Sequence, residues 1–439
     1  MSQVTSNTKK VAFHTLGCKL NYAESSTLGN LFLKRGFALT DFDSKADVYV
    51  INTCTVTENA ERECRQVIRR ALRHNPNGFV IVTGCYAQLR PKEIQKIDGV
   101  DLVLGTKEKF EIFNFIDTLE KKDLACIYVT PTEELNDFGP AFSPLPDDRT
   151  RAFLKIQDGC DYKCSFCTIP KARGKSRSEP EKDVVDQFKM LIDNGYKEIV
   201  LTGVNVGDYG NKIGTNLFNL LKKIVKLDGD FRVRISSIEP NLLTDEIIHL
   251  VASEDKLCKH FHIPLQSGSD KILKLMQRRY LSHLYANRIE AIKKLIPEAG
   301  IGVDVIVGFP GEDEIDFNKT KDFIENLPIS YLHVFTYSER PGTPAAEMKN
   351  QIDKHTRKNR TNLLRIVGAR KKFQFYSEMI GKHHRVLFEH PDENGIIKGF
   401  TSNYVRVKIQ TQKNLSNSLS LIRITGIEGE FCTGEINEL

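Results

Sequence analysis

FLKIQDGCDYKCSFCTIPKARG, residues 153–174, is the stretch on which the reading of this chain turns. A strand-like run, FLKIQD, leads directly into Cys160, Cys164 and Cys167, with the aromatic Phe166 just before the last cysteine. Structural zinc wants four protein ligands, commonly in two C-x-x-C pairs. This segment offers three cysteines, one spacing of three residues, and no fourth Cys or His close by. Three thiolates can instead hold three irons of a cubane [4Fe–4S] cluster and leave the fourth iron open to a small molecule. Zinc remains the lesser alternative at this point.

A second trio lies outside this segment. Cys18, Cys54 and Cys85 each close an apolar run, VAFHTLGC, VYVINTC and VIVTGC. Between and after these runs come amphipathic stretches at 22–36, 58–74, 91–97 and 108–119, and a further strand candidate, DLVLG. Strands alternating with helices predict an open parallel sheet with helices on both faces. Ligands gather at the carboxyl ends of the strands in such sheets. The spacings of 36 and 31 residues, meaningless in sequence, would then bring the three cysteines to one rim.

From 151 to about 345 the alternation resumes with six strand candidates, FLKIQD, EIVLTGVN, FRVRISSIEP, HFHIPLQSG, GIGVDVIVGFPGE and YLHVFTYS. Six β/α units predict a barrel left partly open, and the tight trio follows its first strand, where barrel enzymes place their chemistry. From 376 to 439 β-rich alternation broken by Gly, Asn and Ser predicts a small all-β barrel. The fold class is therefore α/β, divided into an N-terminal domain (8–125), a Pro-rich linker (126–150), the partial (β/α)6 barrel (151–375) and the β-barrel tail (376–439).

At 439 residues the chain exceeds a single compact core. The opening MSQVTSNTKK leads into no long apolar stretch and no run is long enough to span a bilayer, so a cytoplasmic protein without a membrane partner is expected. In that reducing compartment ten cysteines are ligands, reactive groups or packing residues rather than disulfides. Cys64, Cys126, Cys258 and Cys432 read as buried packing residues, although Cys64, among arginines, could be reactive. The net charge of +6 is mild, but basic residues cluster. Arg62, Arg65, Arg69 and Arg73 follow one side of a helix; Lys171, Arg173, Lys175 and Arg177 trail the tight trio; and eight Lys or Arg without an acid fill 354–372. Together they point to a polyanion such as RNA. Leu363, Leu364 and Ile366 are expected to give that last helix its docking side.

The C-x-x-x-C-x-aromatic-C run resembles the signature of the radical S-adenosylmethionine (SAM) superfamily. The resemblance implies that Cys160, Cys164 and Cys167 hold a [4Fe–4S] cluster whose open iron binds SAM, and that Phe166 lies against the nucleoside. Four polar or Gly-containing strand ends, TGVNVG (202–207), SSIEP (236–240), LQSGSD (265–270) and VGFPGE (307–312), sit where SAM would lie, so Thr202, Asn205, Ser237, Glu239 and Gln266 are its candidate neighbours. The bland reading of these four is as turns, which Gly and Pro favour anyway.

Further motifs extend the resemblance along nearly the whole chain: TLGCKLNYAES (15–25), INTCTVTENAE (51–61), TGCYAQ (83–88), HIPLQSGSDKILKLMQRRY (262–280) and YSERPGTPA (337–345). With these the chain resembles the methylthiotransferases of the radical SAM superfamily, and its tail resembles their RNA-associated TRAM barrel. The resemblance implies two [4Fe–4S] clusters, the second an auxiliary one on Cys18, Cys54 and Cys85 that carries the incoming sulfur. It implies no catalytic residue beyond the cluster ligands, a tRNA substrate, a reducing partner of flavodoxin or ferredoxin type, and a monomer. Lys19 after the first ligand is similar to the threonylcarbamoyl-adenosine branch, whereas the isopentenyl-adenosine branch usually carries GCQMN there. Modification of an aspartate in a ribosomal protein, and a non-catalytic iron–sulfur RNA-binding protein, are the alternatives.

Overall fold

The computed structural model describes residues 8–54, 58–116, 118–143 and 150–436, without the side chains of 58–61. Residues 55–57 of the INTCTVTENAE motif, 144–149 of the Pro-rich linker and the last three residues of the tail lie outside the described residues. The chain divides into two compact units. One comprises residues 1–145 with 157–163 and 167–179, the other 146–156 with 164–166 and 180–439.

The first unit is built on six parallel strands, β1 (Lys10–Thr15), β2 (Ala38–Thr40), β3 (Val48–Thr53), β4 (Phe79–Gly84), β5 (Leu102–Leu104) and β6 (Cys126–Tyr128). Their order is β2-β1-β3-β4-β5-β6. Strands β3 and β4 are buried at every residue, which is why VYVINT and FVIVTG read as unbroken apolar runs. Strands β2 and β6 escape the sequence reading because three-residue edge strands carry too few residues for a periodicity. Beyond β6 the Pro-rich stretch is ordered against this unit: Leu135, Ala141 and Ser143 are buried, and the Phe142 backbone exchanges hydrogen bonds with the Thr27 hydroxyl. A two-strand antiparallel ribbon, β8 (Gln157–Asp158) with β9 (Arg177–Ser178), also belongs here.

The second unit holds β7 (Arg151–Lys155), which precedes that ribbon in the chain, then β10 (Glu198–Thr202), β11 (Arg232–Ile235), β12 (His260–His262), β13 (Gly300–Val307) and β14 (Tyr331–Thr336). All pair in parallel, as β11-β10-β7 and β12-β13-β14, and bridges Val233–Leu257 and Ser237–His262 join the two sheets. Six β/α units in one open curved sheet are what the alternation predicts. A closed barrel follows, β15 (His383–Phe388), β16 (Ile396–Thr401), β17 (Arg406–Gln410), β18 (Leu419–Glu428) and β19 (Phe431–Ile436), ordered β15-β16-β17-β19-β18.

This small barrel plugs the amino-terminal end of the larger one. Glu198 receives Arg232 Nε at 2.6 Å and Arg234 Nε at 2.8 Å, all buried. The same guanidiniums donate to the carbonyls of Phe400, Thr401 and Ser402. Burial alone would raise the Glu198 carboxyl, but the two arginines hold it far below the usual carboxylate range. Gly300 has no Cβ because one would meet the Asn403 carbonyl oxygen at 2.0 Å. No helix among the described residues is long and apolar enough to cross a membrane.

Candidate cluster sites

In the first unit the strand order reverses direction between β1 and β3, the switch point at which such sheets open a crevice. Cys18 caps the helix after β1, Cys54 follows β3, and Cys85 opens the helix after β4. Two left-handed glycines make the approach possible. A Cβ on Gly17 (φ +99°) would lie 2.9 Å from Cys54 Sγ, and one on Gly84 (φ +96°) 2.4 Å from the Thr53 carbonyl oxygen. Asn21 ties the loops together, donating to the carbonyls of Leu16 (2.7 Å) and Thr53 (3.1 Å). The three cysteines therefore stand just past the ends of the neighbouring strands β1, β3 and β4.

Beneath them lies a buried charge network that the sequence did not announce. Arg173 Nη1 contacts Glu24 Oε1 and Asp158 Oδ1, each at 3.0 Å, and Nη2 donates to Asn21 Oδ1 at 2.7 Å. Lys109 Nζ closes the set on Glu24 Oε2 at 2.6 Å. Two cations face two carboxylates, so the buried charge is balanced. Burial pushes the Cys85 thiol up, and Arg173 pulls it back toward the thiolate a metal ligand must be. Arg173 is thus a structural ion rather than part of an exposed patch. Arg177 is spent likewise, donating to the carbonyls of Leu135, Arg173 and Lys175.

The loop carrying the tight trio is contorted in the same way. Within the first unit, Cys160 N–H donates to the Gly174 carbonyl at 3.0 Å, and Tyr162 N–H points at Cys160 Sγ at 3.4 Å. Gly159 (φ +70°) must lack a side chain, since a Cβ would sit 2.1 Å from the Lys175 carbonyl oxygen. Cys167 closes the run.

Within the second unit Ser165 anchors the middle of the loop. It donates through N–H to Met276 O and through Oγ to Leu275 O, and accepts from Ala345 N–H. Phe166 consequently packs among Ile306, Phe309, Met276 and Tyr337, with an edge-on contact to Phe309. Cys164 Sγ accepts from Arg278 Nη1 at 3.2 Å, and the same guanidinium is paired with Glu239 and held through Nε by the Tyr280 hydroxyl at 3.1 Å. Burial raises both the Cys164 thiol and the Glu239 carboxyl, and Arg278 lowers both. A fixed cation beside the Cys164 sulfur would suit an anionic thiolate-bound cluster there.

The other candidates fall on the carboxyl-terminal rim of the same sheet. Among the described residues, the buried Oγ1 of Thr202 at the end of β10 and the buried Oε1 of Gln266 (φ +66°) find no hydrogen-bond partner. Asn205 is buried just beyond β10. Ser237 Oγ bonds His262 Nδ1 at 3.0 Å, and Glu239 bonds Arg278. Sequence reasoning overlooked Arg278, His262, Asp304 and His333. The last three bring their ligating atoms within 4.8 Å of one another, the one such set of three His, Cys, Asp or Glu groups among the described residues. The alternation of GIGVDVIVG, with Asp304 on the face shared by Gly302 and Ile306, is the signal that could have found them.

Cys64, Cys258 and Cys432 are buried as packing residues, while Cys126 on β6 is only partly buried. On the helix Lys354–Ser377 the expected docking side is corrected: Leu364 and Val367 are buried, whereas Leu363 and Ile366 are exposed. A residue and its successor lie 100° apart on a helix, so Leu363 and Leu364 cannot share one narrow contact line. Arg357 and Arg360 of this helix are buried on Glu339 and Glu312.

Residues 10–105 match the family described as "Uncharacterized protein family UPF0004", and residues 154–324 match the "Radical SAM superfamily". The chain is 42% identical over 420 residues to the threonylcarbamoyladenosine tRNA methylthiotransferase MtaB of Bacillus subtilis (strain 168), covering 94% of this chain and 93% of that protein. It is 34% identical over 445 residues to the tRNA-2-methylthio-N(6)-dimethylallyladenosine synthase of Clostridium novyi (strain NT), covering 98% and 96%. In fold it is similar to the radical SAM methyltransferase TsrM of Kitasatospora setae, with a TM-score of 0.55 at 16% identity over 77% of this chain and 75% of that one.

Proposed function

The chain belongs to the radical SAM methylthiotransferases, and from that premise we propose that it transfers a methylthio group to N6-threonylcarbamoyladenosine beside the anticodon of tRNA. The observation that carries the substrate is the 42% identity, over nearly the full length of both chains, to a relative bearing that activity in its name. In this reading Cys160, Cys164 and Cys167 hold one [4Fe–4S] cluster, and Cys18, Cys54 and Cys85 hold a second. When bound, the first cluster with SAM supplies the radical that activates a C–H bond, and the second supplies the sulfur.

The protein's own residues bind, orient and exclude water. Arg278 hydrogen-bonds the Cys164 sulfur and fixes its direction. Phe166, wedged by Ser165 against Phe309, keeps that side of the loop dry. The unpartnered oxygens of Thr202 and Gln266 accept hydrogen bonds from the methionine and nucleoside parts of SAM. A flavodoxin or ferredoxin type of donor supplies the electron. The exposed guanidiniums of Arg62, Arg69 and Arg73 and the TRAM-like barrel favour tRNA phosphate contacts.

Mass spectrometry of nucleosides from tRNA, in cells with and without this chain, tests the proposal. Loss of the methylthio derivative of threonylcarbamoyladenosine, with its precursor accumulating, is the expected result. Loss of the methylthio derivative of dimethylallyladenosine would move the chain to the other tRNA branch. No change in either would leave the ribosomal-protein or non-catalytic readings.

A further inference from the structure

Inside the curved sheet of the second unit, side chains stack in layers from the plugged end toward the open rim. At the bottom His260, Tyr331 and Tyr404 fill the interior, with His260 Nε2 2.8 Å from the Tyr331 hydroxyl. The next layer follows from the register Asp304 opposite His333, and above it Ile306 stands opposite Phe335. His262 Nε2 and His333 Nδ1 both approach the same oxygen, Asp304 Oδ1, at 2.8 and 3.1 Å. The carboxylate can only accept, so both facing nitrogens carry protons, and His262 Nδ1 accepts from the Ser237 hydroxyl. His262 is then fully satisfied. With those protons in place, His262 and His333 are tied to the carboxylate by hydrogen bonds.

Two polar atoms are left over. Among the described residues, neither Asp304 Oδ2 nor Nε2 of His333, whose side chain is 51% exposed, takes part in a hydrogen bond. One step along the same face Phe335, 42% exposed, offers a bare aromatic ring. A surface with an acceptor, an imidazole edge and an aromatic plane suits a flat base carrying a hydrogen-bonding substituent.

Resting on the function proposed above, we infer that Asp304, His333 and Phe335 form the subsite that reads the N6 substituent of the target adenosine. A threonylcarbamoyl group joins N6 to an amino acid through a urea, giving N–H donors, a carbonyl and a carboxylate. An N–H of the urea donates to Asp304 Oδ2. A second N–H of the urea, or the threonine hydroxyl, donates to Nε2 of His333, whose ring proton sits on Nδ1 facing Asp304. The adenine ring lies on Phe335. A dimethylallyl group offers the imidazole no partner, so the subsite discriminates by leaving His333 and its carboxylate unsatisfied with the wrong base.

The test uses full-length reconstituted protein and two synthetic anticodon stem-loops, one with threonylcarbamoyladenosine and one with dimethylallyladenosine. Both kcat/KM and equilibrium binding by fluorescence anisotropy are measured. Wild type should favour the threonylcarbamoyl loop, and His333→Phe should lower that preference by roughly 10- to 100-fold in both readouts. His333→Asn, which keeps a polar partner, should recover part of it, and Asp304→Asn provides a second variant if the first folds poorly. A wild-type ratio retained in His333→Phe and Asp304→Asn would overturn the subsite while leaving the proposed function intact. A wild type that turns over dimethylallyladenosine alone would overturn both.

Discussion

The two cysteine trios reach their geometry by opposite routes. Cys160, Cys164 and Cys167 sit within eight consecutive residues, and a glycine turn and Ser165 shape their loop. Cys18, Cys54 and Cys85 follow the ends of three neighbouring strands, in loops set by two left-handed glycines and Asn21. The support differs too. Under the dispersed trio lies a four-charge network with every side chain buried, whereas the sulfur of Cys164 meets one guanidinium paired with one carboxylate. A local motif needs little scaffold because chain connectivity already limits its freedom. A dispersed site must have each loop fixed separately.

Separating the trios by function is the sharpest way to test that contrast. Cys164→Ala should reduce SAM cleavage to 5′-deoxyadenosine to background, measured by mass spectrometry in reduced protein. Cys85→Ala should keep that cleavage and lose only the methylthio product. Equal loss of both in the two variants would break the division of labour.

The next largest effect concerns scaffold. Arg173→Met removes the guanidinium shared by Glu24 and Asp158, leaving Lys109 on Glu24 and Arg177 3.9 Å from Asp158, and should destabilise the first unit by about 3–5 kcal/mol in urea denaturation. An effect under about 1 kcal/mol would mean that the network sets specificity rather than stability. Gly84→Ala should cost about 1–3 kcal/mol, because its left-handed backbone and the Thr53 carbonyl both oppose a Cβ. Gly195→Ala, also at positive φ but with no atom within 4 Å, should cost less, and the difference measures the crowding at the dispersed site.

The smallest effect lies away from both trios and serves as a baseline. Burial lowers the His384 imidazole on β15 below its ordinary value of 6.5. The unfolded chain then takes up a proton before the folded one does. Stability is therefore full above about pH 6.5 and declines as pH falls through the folded value, by less than about 1.4 kcal/mol per pH unit. His384→Gln should flatten that slope in thermal melts recorded from pH 7.5 to 5.5.

Much of this was legible in the chain. Unbroken apolar runs at β3 and β4 and the β/α alternation from residue 151 gave both parallel sheets, because buried strands leave a strong local signal. Edge strands β2 and β6 left almost none. The basic segment 171–177 read as a surface patch because charge in sequence carries no sign of burial. Only the fold shows Arg173 beneath Asn21 and Glu24.

The sequence by itself determined the cysteine spacing of the tight trio, the three-part order of the chain and its family, since these depend on near neighbours and on periodicity. Tertiary structure decided which charges are buried, that Arg278 meets Cys164 across 114 residues, and that His262, Asp304 and His333 share one layer. The physical reason is range. Spacing along the chain constrains atoms a few residues apart, whereas a contact between strands is set by register and by which face each side chain takes, and these exist only once the sheet has formed.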